Sequence, residues 1–480
     1  MTAEPVLSPD YRDQGHRFPD DFVFGSATAS YQIEGGVHED GRGPSIWDTF
    51  SHTAGTTANG DTGDVADDHY HRLDTDLDLM ARYHLDAYRF SIAWPRIQPT
   101  GSGPVNRAGI DFYNRLIDGL LERGISPTCT LYHWDLPQAL EDAGGWPNRD
   151  TAERFAEYAA ICGEAFGDRI EQWTTLNEPW CTAHLGYGIG VHAPGRQDPL
   201  DLLRSVHTLN LAHGLGVQAL RSSVQRPDAK YSITFNLQTV IPASDAPGDL
   251  EVAEKVRHVN NRLFTSPVMF GRYEPELLEI TRRYTDWGFV RDGDLQAIHQ
   301  PIDVLGLNWY TPAWVKQVKP FALEYEGSWI PTTNIGVDDV RAVASDLPAT
   351  DMSWPIEPSG LERQLLDMAA EFPGVPLVIT ENGCAYDDPV VGGRCHDARR
   401  VDYLTRHISA VRRAMSQGAP VVGYYVWSLM DNFEWAEGYG KRFGITHVDY
   451  ETQVRTPKDS ALWYSRLAST KILPPTDDID

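Results

Sequence analysis

The chain has 480 residues, 41% hydrophobic and 23% charged, with 41 basic against 68 acidic side chains and a formal charge of -27. This is the make-up of a globular protein, and its charge excludes nucleic acid and anionic membrane as partners, since either needs a basic face that releases counterions. The five cysteines, Cys129, Cys162, Cys181, Cys384 and Cys395, are scattered and odd in number, which points to a reducing cytoplasm and not to a disulfide framework.

In chain order, residues 1–17 lack the basic start and apolar run of a signal peptide, and no stretch approaches ~18 uninterrupted apolar residues, so neither export nor a membrane span is expected. Short β-branched and aromatic runs follow at 22–26, 87–92, 126–132, 172–177, 231–235, 304–307, 377–380 and 421–426. Between them lie segments of helical period. In 110–123, for example, Ile110, Tyr113, Leu116, Ile117, Leu120 and Leu121 share a face, and Gly124 can close the helix in a left-handed turn. The strand-like runs are continuously apolar, as parallel strands buried on both faces are. The pattern predicts an α/β fold: a (β/α)8 barrel of the TIM type over 18–473, a single domain with long βα loops, between mobile tails at 1–17 and 474–480. The connections 27–67, 179–199 and 308–360 far exceed a βα turn, and all fall on the carboxyl face, where they would wall a deep pocket.

The run at 172–177 leads into Glu178 and Pro179. Proline cannot donate the next ladder bond, so the strand should stop near Glu178, and a residue before proline is expected in extended geometry that fixes the carboxylate's direction. The run at 377–380 ends likewise in Glu381, before Asn382 and Gly383. Other strand ends offer Gln32, Arg89, His133, Trp134, Asn177, Asn236, Asn308, Tyr310, Trp427, Glu434 and Trp435. Amides, imidazole, carboxylates and indoles at one mouth suit a neutral polyhydroxylated ring, whereas a phosphate would call for Arg or Lys clusters.

Two glutamates in such a pocket suggest glycoside hydrolysis, which needs one protonated and one ionised carboxyl across the anomeric carbon. Arg89 is expected to hold Glu381 ionised. Glu178, desolvated and beside that charge, is expected to keep its proton near neutral pH.

Several signals have plainer readings. His69 and His71 lie two apart on a helix-period segment, so they face apart and read as buried hydrogen-bonded histidines, not a metal pair. Gly214 and Gly216 lie inside a helical segment, which argues against a dinucleotide loop. Cys181 and Cys384 read as small packed thiols. No cofactor and no metal are expected.

The residues resemble the glycoside hydrolase family 1 β-glucosidases of bacterial type along nearly the whole chain, from Phe18-Pro19 and the segment Phe24 to Gly35, through Tyr88 to Ile97, Leu131 to Pro137, Thr175 to Trp180, Ile379 to Gly383 and Trp427 to Gly444, to Trp463-Tyr464. The resemblance implies a retaining mechanism with Glu178 as acid/base and Glu381 as nucleophile. Asn177 would bond the sugar 2-hydroxyl. Gln32, His133, Trp134, Glu434 and Trp435 would grip the other hydroxyls, with Trp427 beneath the ring. Tyr310 would bond the nucleophile, Arg89 and Asn308 would support it, and Trp354 would line the leaving-group side. A cis peptide is implied between Trp427 and Ser428. Relatives that cleave 6-phosphorylated glycosides carry Ser, Lys and Tyr at the positions of Glu434, Lys441 and Phe443, so only the lysine agrees, and Glu434 would repel a phosphate. Trp309, where many relatives have Tyr, should turn away from the site between Asn308 and Tyr310.

The expected substrate is a small β-glycoside or cello-oligosaccharide, with some transfer to other acceptors, acted on by a monomer or homo-oligomer. A preference for β-galactosides or β-fucosides, or a sugar-binding barrel without chemistry, are the alternatives.

Overall fold

The computed structural model describes residues 17–319 and 331–476. Most of the expected tails, 1–16 and 477–480, and part of the loop expected at 308–360 lie outside the described residues. Within them, eight parallel strands close into a barrel: β1 Val23–Ala27, β2 Ala87–Ser91, β3 Ser126–Tyr132, β4 Gln172–Asn177, β5 Lys230–Phe235, β6 Val304–Asn308, β7 Leu377–Asn382 and β8 Val421–Trp427. Each strand pairs with its sequence neighbour, and β1 completes the ring against β8 in the register Val23 to Gly423 through Ala27 to Trp427. Every expected strand is found, its ends shifted by at most two residues; the largest shift carries β7 through Glu381 to Asn382.

Helices fill the connections because their sequences carry one apolar face each. The helix Arg107–Glu122 buries Ile110, Tyr113, Leu116, Ile117 and Leu120, and Gly124 follows with φ +72°, as the sequence anticipates. The 25-residue helix Pro199–Ser223 starts at Asp198, whose carboxylate accepts from the Leu200 and Asp201 amides, with proline in the first turn. Gly214 lies inside it, where a Cβ would meet the Ala297 carbonyl oxygen at 2.0 Å, so this glycine serves helix packing. Among the described residues no helix is long and apolar enough to cross a membrane.

The chain ends of the described region are tied to the barrel. Arg17 bridges to Ile472, and the Trp463 indole donates to the Pro474 carbonyl at 3.3 Å. At the other face of the barrel, the peptide between Trp427 and Ser428 is cis. Gly383 lies against it: a Cβ there would stand 1.8 Å from the Trp427 carbonyl oxygen, so only glycine lets the chain after β7 approach the end of β8.

Candidate active site

A cavity of about 420 Å³ opens at the carboxyl ends of the strands, within the usual range for a small-molecule site. It is lined by Glu178, Glu381 and Glu434 together with His133, Trp427 and Trp354. Strand β4 stops at Asn177 as expected, but Glu178 is not extended: its φ is +44°. The Glu178 amide donates to the Thr234 carbonyl at 3.0 Å, and its own carbonyl accepts from the Cys181 amide at 2.9 Å, so the chain turns directly from strand into a helical turn. Proline at 179 blocks the right-handed region at 178, and the left-handed region is what remains for so tight a turn. These bonds outweigh a strain of roughly 1–2 kcal/mol. Trp134 and Trp435, which also line the cavity, hold φ values of +77° and +51°.

One hydrogen-bonded network joins the two strand-end glutamates. Arg89 donates to Glu381 Oε1 through Nη1 at 2.7 Å and to Asn177 Oδ1 through Nη2 at 2.6 Å. Tyr310 Oη donates to the other Glu381 oxygen at 2.8 Å. Asn308 Nδ2 reaches both Asn177 Oδ1, at 3.1 Å, and Glu178 Oε1, at 2.7 Å. Asn308 is fixed in turn by Thr380, whose hydroxyl donates to its Oδ1 at 2.7 Å. Asn308 also lowers Glu381 through a side-chain hydrogen bond, so the one amide serves both glutamates and Asn177.

Burial sets the electrostatics. Desolvation first, and then the charge of Glu381, push Glu178 up to about 7. Glu381 is also raised by desolvation, against the opposing pull of the Arg89 guanidinium and its hydrogen bond. Glu434 is pushed up to about 8 by desolvation and then by the two neighbouring glutamates. The Arg89 guanidinium acts on Glu178 and Glu381, and its hydrogen bond goes to Glu381.

The opposite wall offers polar atoms without protein partners. Asn177 Nδ2 donates to His133 Nε2 at 3.0 Å, which places the imidazole hydrogen on Nδ1, and burial holds this ring neutral. His133 Nδ1 and Gln32 Oε1 are buried and unpaired. Gln32 is oriented by its Nε2, which donates to Asn432 Oδ1 at 3.0 Å, to the Phe433 carbonyl at 2.8 Å and to Glu434 Oε2 at 3.4 Å. At that depth a donor and an acceptor without protein partners are each costly. The Trp427 and Trp435 rings lie nearly parallel to His133 at 5.8 and 6.0 Å, and Trp134 packs on Trp435 at 4.6 Å.

Toward the mouth the lining is aromatic. Tyr310 stands 5.2 Å from Trp354 and 6.0 Å from Phe443. Trp309 turns away as expected, its indole donating to Thr239 Oγ1 at 2.9 Å. Lys441 points elsewhere, bonding the Asp351 carbonyl at 2.7 Å. The sequence gives no sign of the roles of Trp180, Leu185 and Gln238, which also line the cavity, because their types are ordinary for loops and helices. Cys181 is a departure of another kind. Its thiol donates to Glu178 Oε2 at 3.0 Å, although sequence alone suggests nothing beyond packing.

Of the two histidines, His69 is buried against Asp76 at 2.8 Å, but His71 is half exposed, bonded to Asp68 and Glu39. The expectation of burial fails for His71 because its side of the helix faces solvent. His258, Glu274 and Glu276 come close enough to suggest a metal site. Arg262 donates to His258 Nε2 at 3.2 Å, however, so Nδ1, 2.9 Å from Glu274, carries the hydrogen and has no lone pair to offer.

A closed parallel barrel with paired carboxyls, buried unpaired polar atoms and indole walls at its carboxyl face has the make-up of a barrel enzyme that works on neutral sugars. The chain belongs to glycosyl hydrolase family 1, whose sequence model matches residues 14–472. It is 51% identical to a bifunctional β-D-glucosidase/β-D-fucosidase of Bifidobacterium breve, over 94% of this chain and 97% of that protein. It is 48% identical to β-glucosidase A of Thermotoga maritima, over 94% of this chain and 97% of that protein. Among solved structures, a Thermotoga maritima family 1 glycoside hydrolase complexed with a cyclophellitol analogue transition state mimic superposes with a TM-score of 0.90 at 47% identity, covering 96% of this chain and 99% of that one. The AHE enzyme of Alicyclobacillus herbarius gives a TM-score of 0.89 at 48% identity, over 95% and 98%.

Proposed function

We propose that this chain is a retaining β-glucosidase that removes terminal non-reducing β-D-glucosyl residues from small glycosides and cello-oligosaccharides, with residues 18–473 acting as one catalytic unit. The observation that carries the reading is the unequal treatment of two neighbouring glutamates. Glu381 takes both the Arg89 and the Tyr310 bonds, which favour its ionised form. Glu178 has no cation bonded to it among the described residues and is pushed up to about 7, so it can carry a proton near neutral pH.

Glu178 gives its proton to the glycosidic oxygen as the Glu381 carboxylate attacks the anomeric carbon, so the leaving group departs as an alcohol and a glycosyl ester forms. Esterification removes the charge of Glu381 that raises Glu178. Glu178 then ionises more easily and takes a proton from the water that attacks the same carbon. Two inversions leave the configuration retained. Asn177, held by Arg89 and Asn308, presents its amide to the 2-hydroxyl, and His133 Nδ1, Gln32 Oε1 and Glu434 take further hydroxyls over the Trp427 face. Trp134 and Trp435 close the sugar side, and Trp354 and Phe443 flank the leaving group.

Glu381→Ala should lower turnover of an aryl β-glucoside by on the order of 10⁴-fold or more. Added azide should then restore slow cleavage and yield a glycosyl azide of inverted configuration. Unchanged turnover, or inverted product from the unaltered enzyme, would refute the assignment.

β-Fucoside cleavage is a second reading, supported by the B. breve relative's name. Rates on nitrophenyl β-glucoside, β-galactoside and β-fucoside separate the preferences, and failure on all three would favour a silent sugar-binding barrel. Five buried free thiols support a cytoplasmic compartment.

A further inference from the structure

The two oxygens of Glu178 have unequal partners. Oε1 accepts from the Asn308 amide at 2.7 Å, and that amide is itself locked by Thr380. Oε2 accepts from the Cys181 thiol at 3.0 Å, and the sulfur receives the Asn236 amide at 3.4 Å. An amide N–H cannot turn into an acceptor, whereas a thiol is a weak donor that rotates freely and can also accept weakly. A proton on Oε1 would face a fixed N–H; a proton on Oε2 faces a group that gives way.

We propose that Cys181 is a positioning residue for Glu178, its thiol marking Oε2 as the oxygen that carries the proton to the leaving group and recovers it from water. The proposal rests on the acid/base assignment of Glu178.

Packing alone does not describe this cysteine. Cys129, Cys162 and Cys384 are fully buried and Cys395 is 1% exposed, but Cys181 is 7% exposed and lines the cavity. It lies one helical turn after Glu178, and the Glu178 carbonyl accepts its backbone amide at 2.9 Å, so the strained turn that aims the carboxyl also brings the thiol under it. The other ionisable groups facing Glu178 are Arg89 on β2, Tyr310 after β6, Glu381 on β7 and Glu434 after β8. None of them is altered by a change at 181.

The test compares Cys181→Ala and Cys181→Ser in the full chain, using the pH dependence of kcat/KM for an alkyl β-glucoside and for dinitrophenyl β-glucoside, whose leaving group needs no acid. Loss of a donor to the carboxylate raises the alkaline limb of Cys181→Ala by about half a unit or more. Its rate falls roughly tenfold on the alkyl substrate and little on the dinitrophenyl one. Cys181→Ser supplies a stronger donor and takes the limb below that of the unaltered enzyme. Equal losses on both substrates with an unmoved limb in both variants would overturn the proposal and leave the thiol a packing group. If Cys181→Ala does not fold, Cys181→Ser decides: its limb must move down, because a hydroxyl donates more strongly than a thiol. Should Glu178→Gln retain full activity on the alkyl glucoside, the acid/base assignment itself falls, a result separate from either cysteine outcome.

Discussion

Arg89 and Glu381, 292 residues apart in the chain, meet at 2.7 Å with both side chains buried. β2 and β7 are not neighbours in the barrel, with β1 and β8 between them, so the pair reaches across the interior. Its second guanidinium nitrogen holds Asn177, which makes one residue responsible for the ionisation of a carboxylate and the orientation of an amide.

Replacing Arg89 by Met should therefore do two things. An unpaired buried carboxylate costs about 3–5 kcal/mol, which thermal or denaturant unfolding would read. With the cation gone, Glu381 becomes harder to ionise, so the acid limb of kcat/KM should move to higher pH. A variant with unchanged stability and an unmoved limb would show that the pair is dispensable.

Glu178→Gln should separate substrates by leaving group. Cleavage of an alkyl glucoside, which needs proton donation, should fall by roughly 10²–10⁴-fold, while formation of the glycosyl ester from dinitrophenyl β-glucoside should change little. Pre-steady-state kinetics would show a burst as the ester accumulates, because no base remains to activate water. Azide should relieve the stall and give a product of retained configuration.

The raised carboxyls also make stability depend on pH. Glu178 and Glu434 titrate at about 7 and about 8 in the folded chain, against ~4.3 for glutamate in an unfolded one. Between these values the folded state binds more protons than the unfolded state, so stability is present in full below ~4.3 and is lost as pH rises through 7 to 8. Melting temperatures taken from pH 5 to pH 8.5 should fall, and Glu434→Gln should flatten the fall and be the more stable protein at pH 8.5. An unchanged slope in that variant would contradict the assignment.

His133 Nδ1 is a buried donor without a protein partner, so its natural partner is a sugar hydroxyl. His133→Ala should weaken transition-state binding by about 1–3 kcal/mol, which is roughly 5- to 150-fold in kcat/KM, with little loss of stability. A similar change on a substrate lacking the hydroxyl it serves would be smaller. A panel of deoxyglucosides identifies that hydroxyl, and equal losses across the whole panel would rule out a direct contact.

The strands were readable because burial on both faces imposes runs of apolar residues that local sequence displays directly, as in Leu377-Val378-Ile379-Thr380. Glu178 and Glu381 were readable for the complementary reason: a charged side chain at the end of such a run has no packing role. The geometry of Glu178 was not. The proline rule correctly disfavoured a right-handed helical residue, but the choice between extended and left-handed backbone was made by the Thr234 carbonyl on β5 and the Cys181 amide in the following turn. The sequence shows Cys181 only as a small packed thiol, since a thiol's chemistry depends on its neighbour and that neighbour's direction follows from the same turn. His71 failed similarly, because helical spacing separates two faces without saying which one meets the barrel.

The barrel class, the order of its strands and the residue types at their carboxyl ends are legible along the chain, since these follow from periodicity and burial within short windows. Tertiary structure decided which of those ends share hydrogen bonds: that Asn308 serves Asn177 and Glu178, that Arg89 crosses to Glu381, and that His133 and Gln32 keep one atom free. Such partners lie tens to hundreds of residues apart, and their distances are set only when β1 closes against β8 and fixes every strand end relative to the others.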